Sequence, residues 1–225
     1  MKITADKITK KYQRISKSSN YFYALQETDF ELESGVFAEI YGRSGSGKST
    51  FLNILSGILT PSEGKILIDG KDLYLMQDSE LSKFRNKCFG VIPQGQSGLN
   101  SLTVLENVKL PALIYGADSE QLTQKALKLL EQVGIAQLCN EKPQSLSGGE
   151  MRRMAIARAL INEPAFVFAD EPTSDLDNEN THNVLSILRD ITKNGTGILL
   201  VTHETDADKY ADKLYKMDAG RLSSV

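Results

Sequence analysis

The 225-residue sequence has only two cysteines and two histidines, few for a disulfide-rich or metal-binding protein, and it has no tryptophan. Cys88 and Cys139 lie far apart, and Cys88 opens an apolar run, so we expect buried thiols instead of a disulfide or a metal site. An excess of positive charge is absent as well, because 26 lysines and arginines stand against 29 acidic residues and the formal net charge is -3. This balance disfavours a general binder of nucleic acids or membrane surfaces.

Long apolar runs are also absent. No stretch reaches the roughly 20 apolar residues of a membrane-spanning helix, and the first ten residues lack the apolar core of a signal peptide. We therefore expect a cytoplasmic protein. The length suits one large α/β domain, or a core with an inserted subdomain, better than two independent domains.

Four short apolar runs have the pattern of parallel strands that are buried on both faces. They cover residues 36–42, 88–94, 165–170 and 197–203. Each run ends at a glycine or a polar residue, and ligands of open parallel sheets bind beyond the carboxyl ends of the strands. We therefore expect the last residues of the four runs to converge on one site: Gly42, Gln94, Asp170 and His203.

Other parts of the chain have different periodicities. Residues 24–32 alternate apolar and polar side chains, and 64–73 contain an Asp-Gly turn signal, which together predict a smaller antiparallel sheet. From about residue 103 to residue 162 the helical period dominates. The sequence thus predicts a single domain with an α/β core in 1–95 and 163–225 and a helical subdomain in 96–162.

A phosphate-binding loop follows the first of the strand-like runs. The stretch GRSGSGKST matches the pattern G-x-x-x-x-G-K-S/T in full and precedes a helical pattern. Its glycines let backbone N–H groups approach phosphate oxygens, Lys48 reaches the β- and γ-phosphates, and the Ser49 hydroxyl can ligate Mg²⁺. The predicted nucleotide contacts are Gly42, Arg43, Ser44, Gly45, Ser46, Gly47, Lys48, Ser49 and Thr50.

Polar residues at the ends of the other strands complete the predicted chemistry. Asp170 can serve the magnesium ion, while Glu171 points elsewhere and can orient and deprotonate an attacking water. His203 can donate a hydrogen bond to the γ-phosphate, and Gln94 can contact Mg²⁺ or the water. Elsewhere in a protein these residue types would indicate solvated or structural positions; their place after buried strands favours function.

A second glycine pair precedes another helical pattern. Ser147, Gly148 and Gly149 would form an anion site at a helix N-terminus. The following helix has apolar residues on nearly every side, which indicates that it is mostly buried. We interpret its arginines as salt-bridge or interface residues and not as a nucleic-acid patch: Arg152, Arg153 and Arg158.

Taken in order, these motifs resemble those of the ATP-binding subunit of an ABC transporter over essentially the full length. They are the Walker A loop at 42–50, the Q-loop residue Gln94, the signature LSGGE, the Walker B strand FVFADEP, the D-loop SDLD and the switch residue His203. The stretches FRNKCFGVIPQ and LTVLENVKLPALI, with Glu150 where glutamine is commoner, are most similar to the branch for lipoprotein release, macrolide export and antimicrobial-peptide export.

The resemblance implies a head-to-tail homodimer with two ATP molecules between the subunits. The signature residues of one subunit would contact the nucleotide of the other, and Asp175 would link the two sites; the signature contacts are Ser147, Gly148, Gly149 and Glu150. It also implies an aromatic residue that stacks on adenine. Tyr12 is our candidate, with Tyr21 and Tyr23 as alternatives, because the serine-rich segment 14–21, a predicted solvated loop, obscures the register.

The resemblance further implies a P-loop NTPase fold with a mainly parallel sheet, an N-terminal antiparallel β subdomain and an inserted α-helical subdomain. The implied activity is magnesium-dependent ATP hydrolysis; its catalytic residues are Glu171, His203, Lys48 and Gln94, and its metal ligands are Ser49, Gln94 and Asp170. A separate permease would hold the chain at the inner face of the cell membrane. The transported cargo would be a peptide, a lipoprotein or a drug that is exported or extracted.

The resemblance also implies that the permease docks near residues 94–110. Leu99, Leu102 and Val104 would line the docking groove or, equally, belong to the core of the helical subdomain. Two other functions are weaker alternatives. A soluble ABC ATPase acting on DNA or ribosomes predicts a long coiled-coil insertion or two tandem domains, and neither fits in 225 residues. A nucleotide-gated interaction module predicts damaged catalytic motifs, and those of this chain are complete.

Overall fold

The computed structural model of the chain describes residues 1–13, 21–95, 97–116, 119–204 and 206–225. The predicted loop at 14–21 lies outside these residues except for Tyr21. Within the described ranges, no helix combines the length and the apolar character that a membrane crossing requires. The described residues form two sheets and six α-helices.

The larger sheet has six strands. They are β3 (Phe37–Tyr41), β6 (Phe89–Ile92), β7 (Phe166–Asp170), β8 (Gly197–Thr202), β9 (Lys213–Asp218) and β10 (Arg221–Ser224). Their order across the sheet is β10-β9-β3-β8-β7-β6, and all neighbouring pairs are parallel except β9 and β10. The four predicted strands are thus adjacent, and the mainly parallel sheet is confirmed. The C-terminal hairpin of β9 and β10 was not predicted, because its exposed charged residues interrupt the apolar pattern.

The smaller sheet is antiparallel, as predicted. It contains β1 (Lys2–Gln13), β2 (Tyr21–Glu33), β4 (Glu63–Ile68) and β5 (Lys71–Asp72) in the order β2-β1-β4-β5. Asp69 and Gly70 join β4 to β5 with φ angles of 47° and 81°. Two consecutive positive φ angles form the turn type that matches the twist of a hairpin, which explains the Asp-Gly signal.

The six helices follow the sequence patterns that favour them. They are α1 (Lys48–Leu55), α2 (Asp78–Cys88), α3 (Val104–Leu113), α4 (Glu120–Gln132), α5 (Gly148–Leu160) and α6 (Asn178–Lys193). Capping boxes begin α3 at Thr103 and α5 at Ser147, each with a glutamate three residues later that closes the box. Helices α3, α4 and α5 lie between β6 and β7 in the chain, where the helical pattern predicts them.

Two hydrophobic cores lie on opposite faces of the larger sheet. Alternate residues of β3 supply both, since Phe37 packs in the core that includes α3–α6, while Ala38 and Ile40 pack in the core that includes α1 and the antiparallel sheet. The P-loop NTPase fold class is confirmed by the similar solved structures described below. The division of the chain after residues 95 and 162 stays a prediction.

The two cysteines are free thiols at the edges of these cores. Cys139 packs against one core and Cys88 against the other, and both are half-buried instead of fully buried. Burial raises the pKa of the Cys88 thiol, which makes it a poor nucleophile at neutral pH.

Candidate nucleotide site

The phosphate-loop sequence connects β3 to α1, and its glycines are required by the geometry. Gly45 and Gly47 have φ angles of 76° and 111°, in the left-handed region that favours glycine. A Cβ atom on Gly42 would collide with the carbonyl group of Met217, and one on Gly47 with that of Ala24. The backbone of β2 and β9 therefore lies directly against the loop and leaves room only for glycine at positions 42 and 47.

The C-terminal hairpin also supports this loop, which the sequence did not indicate. The Gly220 amide donates to the Ser46 carbonyl at 2.8 Å, and the Gly220 carbonyl accepts from the Gln26 amide at 2.8 Å. The Ser46 hydroxyl is buried and has no hydrogen-bond partner among the described residues. The loop is thus anchored through its backbone, with an unused hydroxyl inside it.

The Lys48 ammonium is buried at the centre of the loop. Its Nζ donates to the carbonyl oxygens of Gly42 at 2.7 Å and Arg43 at 3.3 Å, and it lies 3.5 Å from Oε1 of Glu171. A buried cation needs such partners when no anion is present. Phosphate oxygens that enter the loop would therefore meet a positive charge that is already in place.

Asp170 and Ser49 form the part of the site that fits a magnesium ion. The Ser49 hydroxyl donates to Oδ1 of Asp170 at 3.1 Å, across the boundary between α1 and β7. Burial, the largest effect, raises the pKa of Asp170, while the Ser49 hydrogen bond and the charge of Lys48 lower it. A serine hydroxyl and a carboxylate are oxygen ligands of the kind that Mg²⁺ takes together with substrate phosphates.

Glu171 is held in an unusual backbone conformation, with a φ angle of 47°. Its Oε2 accepts from the backbone amide of His203 at 3.1 Å and lies 2.8 Å from Nδ1 of the same residue. Left-handed backbone in a residue other than glycine costs energy, and such strain clusters at functional sites. The result is a buried carboxylate that lies between the Lys48 cation and the His203 ring.

An open cleft of about 450 Å³ lies in front of the phosphate loop. Nine predicted site residues line it: Tyr12, Ser44, Gly45, Gly47, Lys48, Ser49, Thr50, Gln94 and Glu171. Gly42, Arg43 and Ser46 belong to the loop but do not line the cleft. Asp170 and His203 do not line the cleft themselves, but they contact the lining residues Ser49 and Glu171 respectively.

The aromatic wall of this cleft comes from the pairing of β1 with β2. Tyr12 and Phe22 are register partners, and their rings stack with centroids 5.7 Å apart. Tyr23 also lines the cleft, whereas Tyr21 does not and is 61% exposed. Sequence reasoning missed Phe22, although the aromatic run YFY at the start of an alternating strand was a usable signal.

The signature residues lie away from this cleft. Of the described residues, Ser147, Gly148, Gly149, Glu150 and Asp175 are all outside its lining. Glu150 Oε2 accepts from the Ser147 amide at 2.7 Å and from the Ser147 hydroxyl at 2.8 Å. These bonds lower the pKa of Glu150, so its carboxylate is ionised at neutral pH.

Two other contacts fix the signature region. A Cβ atom on Gly149 would collide with the Asn180 side chain at the start of α6. Asp175 has a left-handed backbone with φ of 63°, and its charge raises the pKa of Arg152, which burial lowers more strongly. A larger residue at position 149 would therefore displace the Asn180 side chain, which accepts from Arg153 and donates to Asp177.

Arginines of α5 bind the segment that follows β6. Arg152 Nη1 donates to the Pro93 carbonyl at 2.9 Å, and Arg158 donates to the Ser97 carbonyl at 2.5 Å and to its hydroxyl at 2.7 Å. The prediction of salt-bridge or interface roles was incomplete, because these donors bind backbone carbonyls beside Gln94. Arg153 donates to Asn180 at 3.1 Å. The signature helix and the Q-loop segment are thus directly connected.

The three residues proposed for the permease groove separate into different environments. Val104 is fully buried in the core, Leu102 is half-buried, and Leu99 is 46% exposed. The core interpretation therefore holds for Val104. A groove of about 480 Å³ lies nearby between α2, α3, α5 and β6. Leu99, Leu102 and Val104 are not among the described residues that line it.

A comparison with known protein families agrees with the motifs and with the geometry of the site. Residues 25–174 match the family described as ABC transporter. The chain belongs to this family. It is 39% identical over 210 residues to the lipoprotein-releasing system ATP-binding protein LolD of Aquifex aeolicus, covering 93% of this chain and 94% of that one.

Other relatives of this ABC ATP-binding chain support the same branch. It is 42% identical over 213 residues to the macrolide export ATP-binding/permease protein MacB of Chlorobaculum tepidum, covering 95% of this chain and 32% of that longer protein. The predicted resemblance to the lipoprotein-release and macrolide-export branch is therefore confirmed.

Solved structures of ABC cassettes have the same fold. A bacterial ABC transporter cassette in dimeric form superposes with a TM-score of 0.89 at 33% identity and covers 99% of this chain and 98% of that chain. The same cassette has been solved as a dimer in a post-hydrolysis state bound to ADP and phosphate. This chain is therefore an ATP-binding subunit of the ABC transporter family.

Proposed function

We propose that this chain hydrolyses ATP to ADP and phosphate as a magnesium-dependent subunit that drives a separate membrane permease. The observation that supports this most is the position of Glu171, whose buried carboxylate lies 3.5 Å from Lys48 Nζ and 2.8 Å from His203 Nδ1. A carboxylate held beside a phosphate-binding lysine suits a residue that orients an attacking water.

Each residue of this site has one role in the proposed reaction. Lys48 binds the β- and γ-phosphates, and the loop amides bind the remaining phosphate oxygens. Ser49, Asp170 and Gln94 would hold the magnesium ion, which when bound neutralises phosphate charge. Glu171 orients and deprotonates the water for in-line attack, and His203 donates to the γ-phosphate. Tyr12, stacked on Phe22 in the cleft wall, stacks on adenine.

The proposal includes an ATP-bound homodimer. Glycines and a serine at the N-terminus of α5 suit an anion, yet they lie outside the cleft of their own chain, so a nucleotide on a second subunit is the ligand that would reach them. Ser147, Gly148 and Gly149 would then complete the partner's site, with Glu150 beside them and Asp175 between the two sites. The dimeric form of the similar cassette supports this arrangement.

The transport part of the proposal follows from the relatives. LolD is named as part of a lipoprotein-releasing system and MacB as a macrolide export protein. We propose that this chain acts at the cytoplasmic face of a membrane, bound to a permease that exports or extracts a peptide, a lipoprotein or a drug. Purification from detergent-solubilised membranes tests this: a permease should accompany the chain, and recovery without any membrane protein would contradict coupling.

A substitution at Glu171 tests the chemistry. Glu171→Gln keeps the size of the side chain and removes the base, so steady-state phosphate release should fall by about 100-fold or more. ATP should still bind, and the dimer should accumulate because hydrolysis no longer ends it. Glu179→Gln, an exposed position on α6, is the matched control and should retain the parent rate.

Two outcomes would contradict this proposal. Phosphate release at the parent rate in Glu171→Gln would show that another group activates the water. Nucleotide binding by the unmodified chain without any phosphate release, even at saturating ATP and Mg²⁺, would instead favour a nucleotide-gated interaction module.

A further inference from the structure

Gln26 on β2 has a half-buried amide side chain that the proposed reaction does not use. Both ends of this amide are bonded to the turn that joins β9 to β10. Its Nε2 donates to the Ala219 carbonyl at 3.2 Å, and its Oε1 accepts from Nε of Arg221 at 2.8 Å. The backbone amide of Gln26 donates to the Gly220 carbonyl at 2.8 Å. A residue of the antiparallel sheet thus binds three successive residues of a turn in the larger sheet.

The turn that Gln26 binds has a backbone that needs support from outside. Ala219 and Gly220 have φ angles of 45° and 79°, and they connect the register partners Asp218 and Arg221. Two positive φ angles suit a tight hairpin, but alanine pays a steric cost there because of its Cβ atom. Such strained residues persist where the surrounding structure holds them. The bond from Gln26 to the Ala219 carbonyl provides a hold of this kind.

The turn in turn determines how one peptide of the phosphate loop is oriented. The Gly220 amide donates to the Ser46 carbonyl at 2.8 Å. In a planar trans peptide the C=O and the following N–H point in opposite directions, so the N–H of Gly47 points away from the hairpin. Gly47 is the last residue before α1, where backbone N–H groups bind phosphate oxygens. The Gly220 bond therefore sets the direction of a predicted phosphate-binding amide.

The two ends of the hairpin are held by different parts of the molecule. Met217 on β9 is buried, and β9 is paired with β3 in the sheet. The bonds of Gln26 hold the turn against β2. Ala219 and Gly220 line the nucleotide cleft, whereas Gln26 is not among the described residues that line it. Gln26 can therefore affect a bound nucleotide through the turn, without contact.

We propose that Gln26 is a positioning residue: it holds the turn at 219–221 against the phosphate loop, so that the Gly47 amide stays available to nucleotide phosphates. Loss of the Gln26 side chain would weaken nucleotide binding. It would leave Glu171 in place, because the bonds of Glu171 are to His203 and Lys48. The inference concerns nucleotide binding, and it rests on the proposed ATPase function only where it concerns turnover.

The first test measures nucleotide affinity and needs no activity. Gln26→Met keeps the length of the side chain and removes both of its hydrogen bonds. Affinity for ADP, and for ATP without Mg²⁺, should fall by about 3- to 10-fold in a calorimetric titration. Gln124→Met is the matched control, because Gln124 is exposed on α4 and its Nε2 donates to Glu120 at 2.9 Å. Equal affinities in the two variants would overturn the proposal.

A second variant keeps the test available if Gln26→Met does not fold. Arg221→Lys retains the positive charge of an exposed residue and removes the Nε donor to Gln26. Because the bond from Gln26 to Ala219 remains, affinity for ADP should fall by about twofold. ADP affinity equal to that of the unmodified chain in Arg221→Lys and in every folded variant of Gln26 would overturn the positioning role.

Hydrogen exchange measures the contact between the turn and the phosphate loop directly. Exchange of the Gly220 amide should accelerate by about 3- to 10-fold in Gln26→Met, because its bond to Ser46 opens more often. The Asp69 amide is an internal control: it lies in a turn of the same type and donates to the Lys2 carbonyl at 2.9 Å. Its exchange should not change. Equal acceleration of both amides would indicate a general loss of stability and would overturn the proposal.

The third test uses turnover. In Gln26→Met, KM for ATP should rise by about 3- to 10-fold while kcat stays within about twofold of the parent value. A lower kcat with unchanged KM would overturn the positioning role. If the expected changes in affinity and exchange occurred in a chain that releases no phosphate, the role of Gln26 would stand and the proposed ATPase function would fail. Phosphate release with the same KM in Gln26→Met and Gln124→Met would support the function and overturn the role of Gln26.

Discussion

The N-termini of α1 and α5 both follow a loop of serine and glycine, but their backbone donors are used differently. At α1, the N-cap residue is Gly47, which has no side chain that could cap the helix. The first turn of α1 has no acidic residue. At α5, Ser147 caps the helix and Glu150 accepts hydrogen bonds from it in return. The backbone N–H groups at the start of α1 therefore stay available for a ligand, whereas the start of α5 already binds the carboxylate of Glu150.

This difference separates a complete site from half of one. The phosphate loop has a buried cation, a metal-binding pair and a strained carboxylate from its own chain, namely Lys48, Ser49 with Asp170, and Glu171. The α5 N-terminus satisfies its own donors in the meantime, because the Ser147 amide and hydroxyl donate to Glu150. In the proposed dimer, the α5 N-terminus would contact a charged phosphate group that is already bound to the partner subunit.

The largest expected effect comes from disabling each N-terminus separately. Lys48→Ala removes the buried cation, so affinity for ATP should fall by about 10- to 100-fold. Ser147→Arg should leave ATP binding by the monomer within about twofold, because it is outside the cleft. It should abolish ATP-dependent dimerisation and lower turnover by about 100-fold or more, as loss of a transition-state contact does. Equilibrium nucleotide binding and light scattering measure the two effects.

A matched variant shows whether the added positive charge alone matters. Gln137→Arg places an arginine at an exposed position beyond α4 and should bind ATP, dimerise and turn over like the unmodified chain. If Ser147→Arg weakened ATP binding by the monomer as much as Lys48→Ala does, the two N-termini would serve the same nucleotide and the half-site interpretation would be wrong.

The second prediction concerns the two signature glycines, which are adjacent but differently packed. A Cβ atom on Gly149 would collide with Asn180, whereas one on Gly148 would lie at an ordinary 3.6 Å from Leu176. Gly149→Ala should therefore lower the free energy of unfolding by about 1–3 kcal/mol, as overpacking does. Gly148→Ala should change it little. Urea denaturation measures both, and equal effects would contradict the packing role of Gly149.

The sequence was sufficient to predict the parts of the fold that depend on local pattern. The apolar runs of β3, β6, β7 and β8 and the Asp-Gly turn after β4 were recognised because burial and turn geometry constrain residue type directly. The strands β9 and β10 were missed, since an edge hairpin exposes most of its side chains and has no such constraint.

The sequence predicted the candidate site from contiguous motifs and from single residues at strand ends, such as Gln94 and His203. The phosphate loop and the Asp170–Glu171 pair follow from spacing, but the stack of Tyr12 on Phe22 depends on the register between β1 and β2 across a polar segment. Support from Gly220 comes through backbone hydrogen bonds, which leave no signature in side-chain type. The bond from Arg158 to Ser97 joins residues 61 positions apart, and helical periodicity cannot predict such a contact.

The smallest expected effect concerns the charge that distinguishes the two N-termini. Glu150 is ionised and would lie close to the partner's phosphates, so Glu150→Gln removes a repulsion while the amide still accepts from Ser147. In a Glu171→Gln background, ATP-dependent dimerisation should strengthen by about 2- to 5-fold, corresponding to about 0.5–1 kcal/mol for an exposed charge. The gain should shrink at high salt, because screening already weakens the repulsion.

Glu106→Gln is the natural control for this variant. Glu106 closes the capping box of α3 as Glu150 closes that of α5, and its pKa is lowered by bonds from Thr103 in the same way. A carboxyl group with a lowered pKa stabilises the folded protein at pH values above its ordinary pKa. This stabilisation is lost as pH falls through the pKa of the folded state, so both variants should lose the same decrease of stability at acidic pH. Only Glu150→Gln should alter dimerisation; a weaker dimer would mean that the Glu150 carboxylate binds the partner instead of repelling its nucleotide.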